Sequence, residues 1–445
     1  MKMNTETHIA SPRFIQLYQS TYMRACMLVL LFTSVLLSVG FEDIGKNIFI
    51  LFLVLSIPML WIERHTLRKD PVLWLLGALL LAQLASWLNS LHYFPNFALE
   101  MPNLDRLAKL FSFVLIAYWL RGSKQIIPWL LMAFSAGIII AVLADPNFHS
   151  QWIRAMNGQR VDFAIKNAQF TSMFAGVGML IHLFGYHWIR QRFSQYQRWG
   201  MLLLNTLMLG ALTWLLIVSQ SRQAWLGLAV ALGLLPLFLA HVYQQCRGKK
   251  LVLFYVIILL CGAAFSQSSI IEKRLNQENS VMDTIAAGDW QHIPMSSVGI
   301  RFNSWIEASK WISAHPWLGS SSAAIEEVIA QSPKFSVSLK QRFGHLHNFH
   351  IETLVAYGVL GLLLVYTLYY WLLRSLFISM RHDADLKPYM VFAYTFLAFW
   401  LVINCFETFS SRTYGVYTHN IIFGCLYTFY FASRLQTQKS GRAES

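Results

Sequence analysis

Residues 200–243 read GMLLLNTLMLGALTWLLIVSQSRQAWLGLAVALGLLPLFLAHVY, two apolar runs separated by a short polar stretch that holds one cation, Arg222. Each run has roughly the 20 residues that a helix needs to cross a bilayer. The chain contains similar runs throughout, near 24–41, 47–62, 71–90, 105–120, 126–144, 168–188, 200–219, 225–243, 251–266, 349–373, 388–405 and 415–433. The sequence therefore predicts an all-α polytopic integral membrane protein with about 12 transmembrane helices.

The composition of the 445 residues agrees with this class, because 56% are hydrophobic and only 13% are charged. A soluble domain carries about 25% charged residues. The net charge of +14 fits the Lys and Arg of cytoplasmic loops, so we predict contact with membrane lipids and no nucleic acid partner. No CxxC spacing occurs, which predicts neither a disulfide framework nor a zinc site among the cysteines: Cys26, Cys246, Cys261, Cys405 and Cys425.

The cations divide the loops into two sets that alternate along the chain. The cation-rich loops include 64–69, 190–198 and 374–387, and the positive-inside rule puts them, with both termini, in the cytoplasm. The stretch 267–346, called the long segment below, then lies on the opposite, outer side. This reading predicts transmembrane helices 1–9 in residues 1–266, a helical outer segment in 267–346, and transmembrane helices 10–12 with a cytoplasmic tail in 347–445.

Two arginines on the predicted outer side are candidate anion-binding groups. Arg222 opens the eighth predicted span, where the helix N-terminus adds positive potential. Arg301 lies in the stretch Ser297–Ala314, whose apolar spacing is helical, and a helix on the membrane surface could bring it close to Arg222. Arginine binds phosphate oxygens with two parallel hydrogen bonds. A lone interfacial arginine, however, is often only an anchor for its helix.

The tenth predicted span begins in HLHNFHIETLVAYGVLG, residues 345–361. His347 lies near the helix N-terminus, whose dipole disfavours the imidazolium, so a neutral imidazole able to accept a proton is expected. Gly358 and Gly361 predict a flat face for close packing of another helix. A metal site is not predicted, because the spacing does not put three histidines on one helical face and only Glu352 could add a ligand. Those histidines are His345, His347 and His350.

Two arginines and one histidine at the same membrane surface suit glycan transfer from a lipid diphosphate. The leaving group needs its charge stabilised by a divalent metal or by cationic side chains, and Arg222 with Arg301 could take the place of the metal. A histidine could remove the proton from an acceptor hydroxyl as the hydroxyl attacks the anomeric carbon.

These motifs resemble those of the O-antigen ligase family, which shares its ligase/polymerase domain with O-antigen polymerases. The resemblance rests on Arg222-x3-Leu226, on the Arg301 region through His315-Pro316-Trp317-Leu318-Gly319, and on His347-Asn348-x9-Gly358-x2-Gly361. It implies a fold of glycosyltransferase C type. It also implies transfer of a glycan from undecaprenyl diphosphate to a hydroxyl of the outer-core sugar of lipid A-core, at the periplasmic face of the bacterial cell inner membrane.

The resemblance further implies residue roles in a metal-independent, inverting reaction without a cofactor. Arg222 and Arg301 would bind the diphosphate and His347 would be the base. Separately from the matched motifs, Arg160 lies in another outer loop and is a candidate to touch the donor. Asn348 occupies a motif position without a derived role. O-antigen polymerases and protein O-oligosaccharyltransferases share the domain and differ in their acceptor. A lipid-linked glycan transporter or flippase, a different class, predicts cations along the spans, whereas these candidates gather at one surface.

Overall fold

The computed structural model describes residues 12–244, 248–266, 276 and 278–443. These residues form helices and no strand. The first ten helices are α1 (Pro12–Gln19), α2 (Thr21–Leu37), α3 (Glu42–Ile62), α4 (Arg64–Leu67), α5 (Pro71–Tyr93), α6 (Asp105–Ala108), α7 (Phe113–Leu120), α8 (Ile126–Leu143), α9 (Phe148–Met156) and α10 (Ala168–Arg192). The next ten are α11 (Gln195–Val218), α12 (Arg222–Tyr243), α13 (Lys249–Ser266), α14 (Asn279–Ala286), α15 (Ser297–Ala314), α16 (Ala324–Ala330), α17 (Val337–Arg342), α18 (Phe349–His382), α19 (Lys387–Asn404) and α20 (Thr413–Ala443).

Eight helices in the described part of the chain are long and apolar enough to cross a membrane: α3, α5, α8, α10, α11, α12, α18 and α19. The pair α1 and α2, bent by 51° at their junction, would make nine. The chain is therefore a polytopic helical membrane protein, while the count of twelve stays a prediction. One predicted span, 105–120, is interrupted by a 3₁₀ turn at Lys109–Phe111, and its longest helix, α7, has only 8 residues.

The helices pack into one bundle around α10, most of whose apolar stretch is buried. α10 lies against α11, α12 against α19, α7 against α20, and α5 against α18. Small residues allow some of these close approaches. A Cβ added to Gly176 of α10, for example, would come within 2.5 Å of the Phe399 ring on α19. α10, α12 and α18 bring their N-terminal ends to the same region, which becomes the candidate site.

α18 is bent at Gly358, whose φ of 62° and ψ of −166° are not helical. The chain from Pro316 to Ser321 fills the gap that the bend opens. Val359 N–H donates to Pro316 C=O at 2.8 Å, Ser320 N–H donates to Val355 C=O at 2.8 Å, and Ser321 N–H donates to Ala356 C=O at 2.9 Å. These bonds satisfy main-chain groups that the broken helix leaves without their usual partners.

The predicted role of the two motif glycines needs correction. Gly358 does not pack against another helix: an added Cβ would lie 2.4 Å from the main-chain carbonyl of Trp317. Its positive φ also favours glycine over residues with a side chain. Gly361 is crowded from within its own helix, since an added Cβ would lie 2.3 Å from Cβ of Tyr357. The motif glycines therefore form the bend and its docking surface.

The long segment contains the helix that its spacing predicts, since α15 has the predicted bounds Ser297–Ala314. A second, shorter helix of the segment, α16, follows at Ala324–Ala330. Residues 267–275 and 277 of the long segment, and Cys246 among the cysteines, lie outside the described residues. The division of the chain at 266 and 346 stays a prediction.

Candidate functional site

A cavity of about 570 Å³ brings together the three arginines that the sequence singled out. Arg160 reaches it from the loop between α9 and α10, Arg222 is the first residue of α12, and Arg301 lies in the second turn of α15. Arg160 is positioned by its Nε, which donates to Ser219 C=O at 3.0 Å. His347 is not among the lining residues, which also include Gln169, Gln220, Ser221, Gln223, Leu226, Glu278, Asn279, Met282, Ser297, Val298, Phe302, Trp305 and Phe406.

The cavity is electropositive for two physical reasons. The first residues of α12 and of α15 both line it, so two helix N-termini add partial positive charge. Its lining also holds three guanidinium groups and one carboxylate, Glu278, which leaves a formal charge of +2. A cavity of this charge and size can accept a doubly charged anion such as a diphosphate diester.

Glu278 is a residue of this cavity that sequence reasoning missed. Arg222 Nη2 donates to Glu278 Oε1 at 3.1 Å, and Ser296 donates its hydroxyl to the other carboxylate oxygen. Burial alone would raise the pKa of Glu278, but the hydrogen bonds from Ser296 and Arg222 outweigh burial and lower it. Glu278 is therefore an anion that pairs with Arg222 and orients it.

The start of α15 explains how the chain positions Arg301. Ser296 caps the helix, with its hydroxyl accepting from Gly299 N–H at 3.2 Å. The Pro294 carbonyl lies so close to Gly299 that an added Cβ would be 1.7 Å from its oxygen, so only glycine fits there. This tight entry sets the rotation of α15 that aims Arg301 into the cavity.

A chain of hydrogen bonds connects Arg301 to His347 through two residues. The Gln169 amide, oriented so that both of its ends are satisfied, accepts from Arg301 Nη2 at 2.7 Å and donates to Glu407 Oε2 at 2.5 Å. The same carboxylate oxygen lies 3.1 Å from His347 Nδ1. His347 therefore lies next to the cavity and is linked to it by side chains from α10 and from the loop after α19.

Glu407 is held as a carboxylate. Its burial would raise its pKa, but the hydrogen bond and charge of His347, together with the Thr408 N–H, lower it to about 2. His345 lies beside the pair, its ring centroid 4.0 Å from that of His347. Burial, and then the neighbouring His347, lower the pKa of His345 to about 4. The group thus combines a fixed negative charge with a second, neutral imidazole.

The backbone around His347 is held in an uncommon conformation. His347 has a φ of 51°, a region that few residues with side chains adopt. Leu346, just before it, is bonded on both sides: its N–H donates to Glu352 Oε1 at 2.9 Å, and its C=O accepts from Trp305 Nε1 at 2.8 Å. Glu352 is itself buried in an ion pair with Arg106. These contacts fix the direction in which the imidazole points.

Asn348 is the N-cap of α18. Its side-chain oxygen accepts from the N–H groups of His350 and Ile351, both at 3.0 Å. This role explains why a short polar side chain follows the histidine in the motif. The cap starts the helix immediately after His347 and so keeps the histidine at the helix end.

Backbone strain is concentrated around this site. Among the described residues, eight residues other than glycine have positive φ, and five of them belong to the loops around the cavity and His347. Strain of this kind costs free energy and persists where the surrounding structure enforces it, often at functional sites. The five, with φ between 49° and 56°, are Phe163, Ala164, Lys166, Gln220 and His347.

The residues that could bind a metal in the structure differ from those considered in the sequence analysis. His350 is turned away, with Nε2 3.2 Å from Leu401 C=O and Nδ1 3.1 Å from the Tyr366 hydroxyl. Glu352 is used by Arg106. Within the described chain, His345, His347 and Glu407 instead form a group whose ligand atoms all lie within 4.8 Å of one another. Glu407 supplies the carboxylate that the spacing in 345–352 could not.

The functional residues that sequence reasoning missed carried only weak signals. Glu407 is an acid directly after the apolar run 388–405, and an acid at the end of a membrane span could have been flagged as a partner for a cation or a histidine. Gln169, at the start of a predicted span, carries no charge to mark it. Glu278 lies in a stretch without apolar periodicity.

Residues 207–366 match the family model described as O-antigen ligase. The matched stretch contains Arg222, Arg301 and the motif from His347 to Gly361, whereas Arg160, Gln169 and Glu407 lie outside it. An uncharacterized protein of Haemophilus influenzae is 28% identical over 168 residues, which are 36% of this chain and 40% of that relative. The chain thus covers about two fifths of the relative's length. The resemblance to the O-antigen ligase family that the motifs predicted is confirmed, since residues 207–366 match the model of that family.

Proposed function

We propose that this protein is an O-antigen ligase, which transfers a glycan from undecaprenyl diphosphate to a hydroxyl of the outer-core sugar of lipid A-core. The observation that carries the proposal is the cavity with three arginines and two helix N-termini, joined through Gln169 to the pair of His347 and Glu407. The positively charged cavity would stabilise a diphosphate leaving group, and the pair of His347 and Glu407 would accept the proton of an acceptor hydroxyl.

The donor's diphosphate occupies the cavity in this proposal. A diphosphate diester carries two negative charges, which equal the formal +2 of Arg160, Arg222, Arg301 and Glu278. Arg222 contacts the diphosphate while Glu278 keeps its guanidinium oriented. As the bond to the anomeric carbon breaks, the diphosphate leaves with the electron pair, and the guanidinium groups stabilise the added charge.

His347 is the general base for the acceptor. Its Nδ1–H donates to Glu407, which leaves Nε2 as the acceptor of the hydroxyl proton. The hydroxyl oxygen forms its bond to the anomeric carbon opposite the leaving diphosphate, so the configuration at that carbon inverts. Glu407 stabilises the imidazolium that forms. Neither step requires a metal, because the arginines stabilise the leaving group.

The reaction takes place at the periplasmic face of the inner membrane in this proposal, with both termini in the cytoplasm. Support comes from the excess of Lys and Arg in loops such as 64–69 and 190–198. The candidate cations lie together in one cavity, in the loop between α9 and α10 and near the N-termini of α12 and α15, rather than along the spans. This arrangement favours an interfacial enzyme over a flippase.

Deletion of the gene, followed by gel analysis of lipopolysaccharide and measurement of carrier-linked glycan, tests the proposal. A ligase predicts complete loss of attached glycan and accumulation of long chains on the carrier. Attachment of a single repeat to the core would indicate a polymerase, and unchanged lipopolysaccharide with a loss of glycosylated protein would indicate a protein O-oligosaccharyltransferase. Complementation with His347→Ala, which should insert but not restore attachment, tests the base.

A further inference from the structure

We infer that His345, His347 and Glu407 form a Zn²⁺ site whose occupation blocks glycan transfer. The site itself follows from the positions of these three side chains. The inhibition rests, in addition, on the proposed function, in which His347 is the base.

The three side chains are close to a zinc-binding arrangement as they stand. Zn²⁺ binds imidazole nitrogen and carboxylate oxygen at about 2.0–2.2 Å, so neighbouring ligand atoms in a tetrahedral site lie roughly 3.3 Å apart. His347 Nδ1 lies 3.1 Å from Glu407 Oε2, and His345 Nε2 lies 3.7 Å from Glu407 Oε1. Small side-chain rotations would suffice, because all three ligand atoms lie within 4.8 Å of one another.

The donor set favours zinc over the hard cations. Two imidazoles and one carboxylate are a common three-ligand set for Zn²⁺ and leave a fourth position for water. Mg²⁺ prefers six oxygen ligands and would gain little from imidazole. The ligands are also reachable from solvent, since 24% of the His345 side chain and 14% of the His347 side chain are exposed.

Nearby cations limit the affinity of this site. Arg301 and Arg412 both act on His345 electrostatically, and of the three ligands only Glu407 carries a negative charge to offset that of a bound dication. We therefore expect reversible binding at micromolar Zn²⁺ rather than the very tight binding of a structural zinc site. Binding also displaces the hydrogen bond between Gln169 and Glu407 if the same carboxylate oxygen becomes a ligand.

Zinc at this position would remove the base by changing its tautomer. His347 Nδ1, the nitrogen that faces Glu407, becomes the metal ligand, and its proton moves through solvent to Nε2. The imidazole stays neutral, with its single proton on Nε2. That nitrogen is the one that accepts the hydroxyl proton in the proposed reaction, so the zinc-bound enzyme has no base.

The test measures zinc binding and glycan transfer separately on the purified full-length protein, stripped with EDTA and desalted. Competition with a chromophoric chelator should show about one Zn²⁺ per chain, with no binding of Mg²⁺. His345→Gln and Glu407→Gln should each weaken binding at least tenfold, and His292→Gln, an exposed histidine of the long segment, should bind as the wild type does. Thermal unfolding of each variant checks that it is folded.

The transfer assay then tests the consequence. Zn²⁺ should inhibit the wild type, EDTA should reverse the inhibition, and His345→Gln, compared with its own activity in EDTA, should resist inhibition. Absence of stoichiometric binding, or wild-type binding by folded His345→Gln, would overturn the site. Full transfer by zinc-saturated protein would overturn the inhibition. If the protein transferred no glycan at all, the proposed function would fail while the binding measurements still decided the zinc site.

Discussion

His347 Nδ1 lies 3.1 Å from Glu407 Oε2, although the two residues are separated by 60 positions. His347 lies just before α18, and Glu407 lies in the loop after α19. This contact gives the imidazole a defined orientation and directs Nε2 away from the carboxylate. It also joins the motif of residues 345–361 to a part of the chain beyond the matched family domain.

Replacing Glu407 by glutamine should lower the rate of glycan transfer about 10- to 100-fold, because the imidazolium formed in the reaction loses its stabilising charge. Since the pKa of Glu407 is lowered to about 2, the wild-type carboxylate is charged throughout the working pH range. Its removal should therefore shift the acid limb of the pH–rate profile to lower pH. Glu407→Asp should retain part of the rate, and an unshifted profile would argue against this role.

The same carboxylate links folding to pH. A carboxyl whose folded pKa lies below its ordinary value of 4.5 stabilises the fold fully above that value and loses this contribution as the pH falls toward 2. The melting temperature of the wild type minus that of Glu407→Gln should be constant from pH 7 to about pH 5 and should shrink below it. A difference that grows on acidification would contradict this prediction.

Gln169→Leu should reduce kcat about tenfold with a smaller change in the donor KM, because it separates Arg301 from Glu407 without removing either charge. Steady-state kinetics with purified donor measures both parameters. Gln169→Glu should not restore activity, since a second carboxylate would repel Glu407. Gln197→Leu, at the start of α11, is the matched control. Equal losses in the two leucine variants would exclude a specific role for Gln169.

Glu278→Gln should strengthen binding of the diphosphate donor about fivefold, because it raises the formal charge of the cavity from +2 to +3 and releases Arg222. The affinity of the variant should also fall more steeply with salt. Equilibrium binding of the purified glycan-linked undecaprenyl diphosphate at two ionic strengths measures both effects. Arg222→Gln should weaken binding in the same assay. Weaker binding by Glu278→Gln as well would contradict the prediction, because it would mean that the lost orientation of Arg222 outweighs the added positive charge.

Gly358→Ala should destabilise the protein by about 2–4 kcal/mol, because the residue has positive φ and the new Cβ would meet the Trp317 carbonyl. Gly210→Ala in α11 provides the control, as nothing lies within 4 Å of an added Cβ there. Alanine in that helical position should be neutral or slightly stabilising. Unfolding in detergent, followed by circular dichroism, compares the two variants with the wild type.

Parts of this architecture could be predicted because they depend on local sequence. Apolar runs such as 168–188 lie in helices, and α15 has the bounds that its apolar spacing predicts. The presence of Arg222 and Arg301 in one cavity could also be anticipated, since both belong to polar stretches beside predicted spans.

Other features could not be read from the sequence because they depend on distant contacts. Nothing near Glu407 specifies His347 as its partner. The spacing of Gly358 and Gly361 is equally compatible with helix packing and with a bend, and only the approach of the Trp317 backbone decides between them. The number of spans could not be read from the apolar runs alone, because residues 105–120 are apolar but are broken into short pieces that are largely buried in the bundle.

The docking of Pro316–Ser321 onto the bend of α18 uses main-chain atoms almost throughout. Exchange of an exposed side chain here, such as Trp317, leaves every one of those partners in place. A one-residue insertion or deletion does not, because it moves each donor out of register with its carbonyl. Libraries that vary the residue at position 317 should therefore yield many folded clones, whereas libraries that vary the length of this stretch should yield almost none.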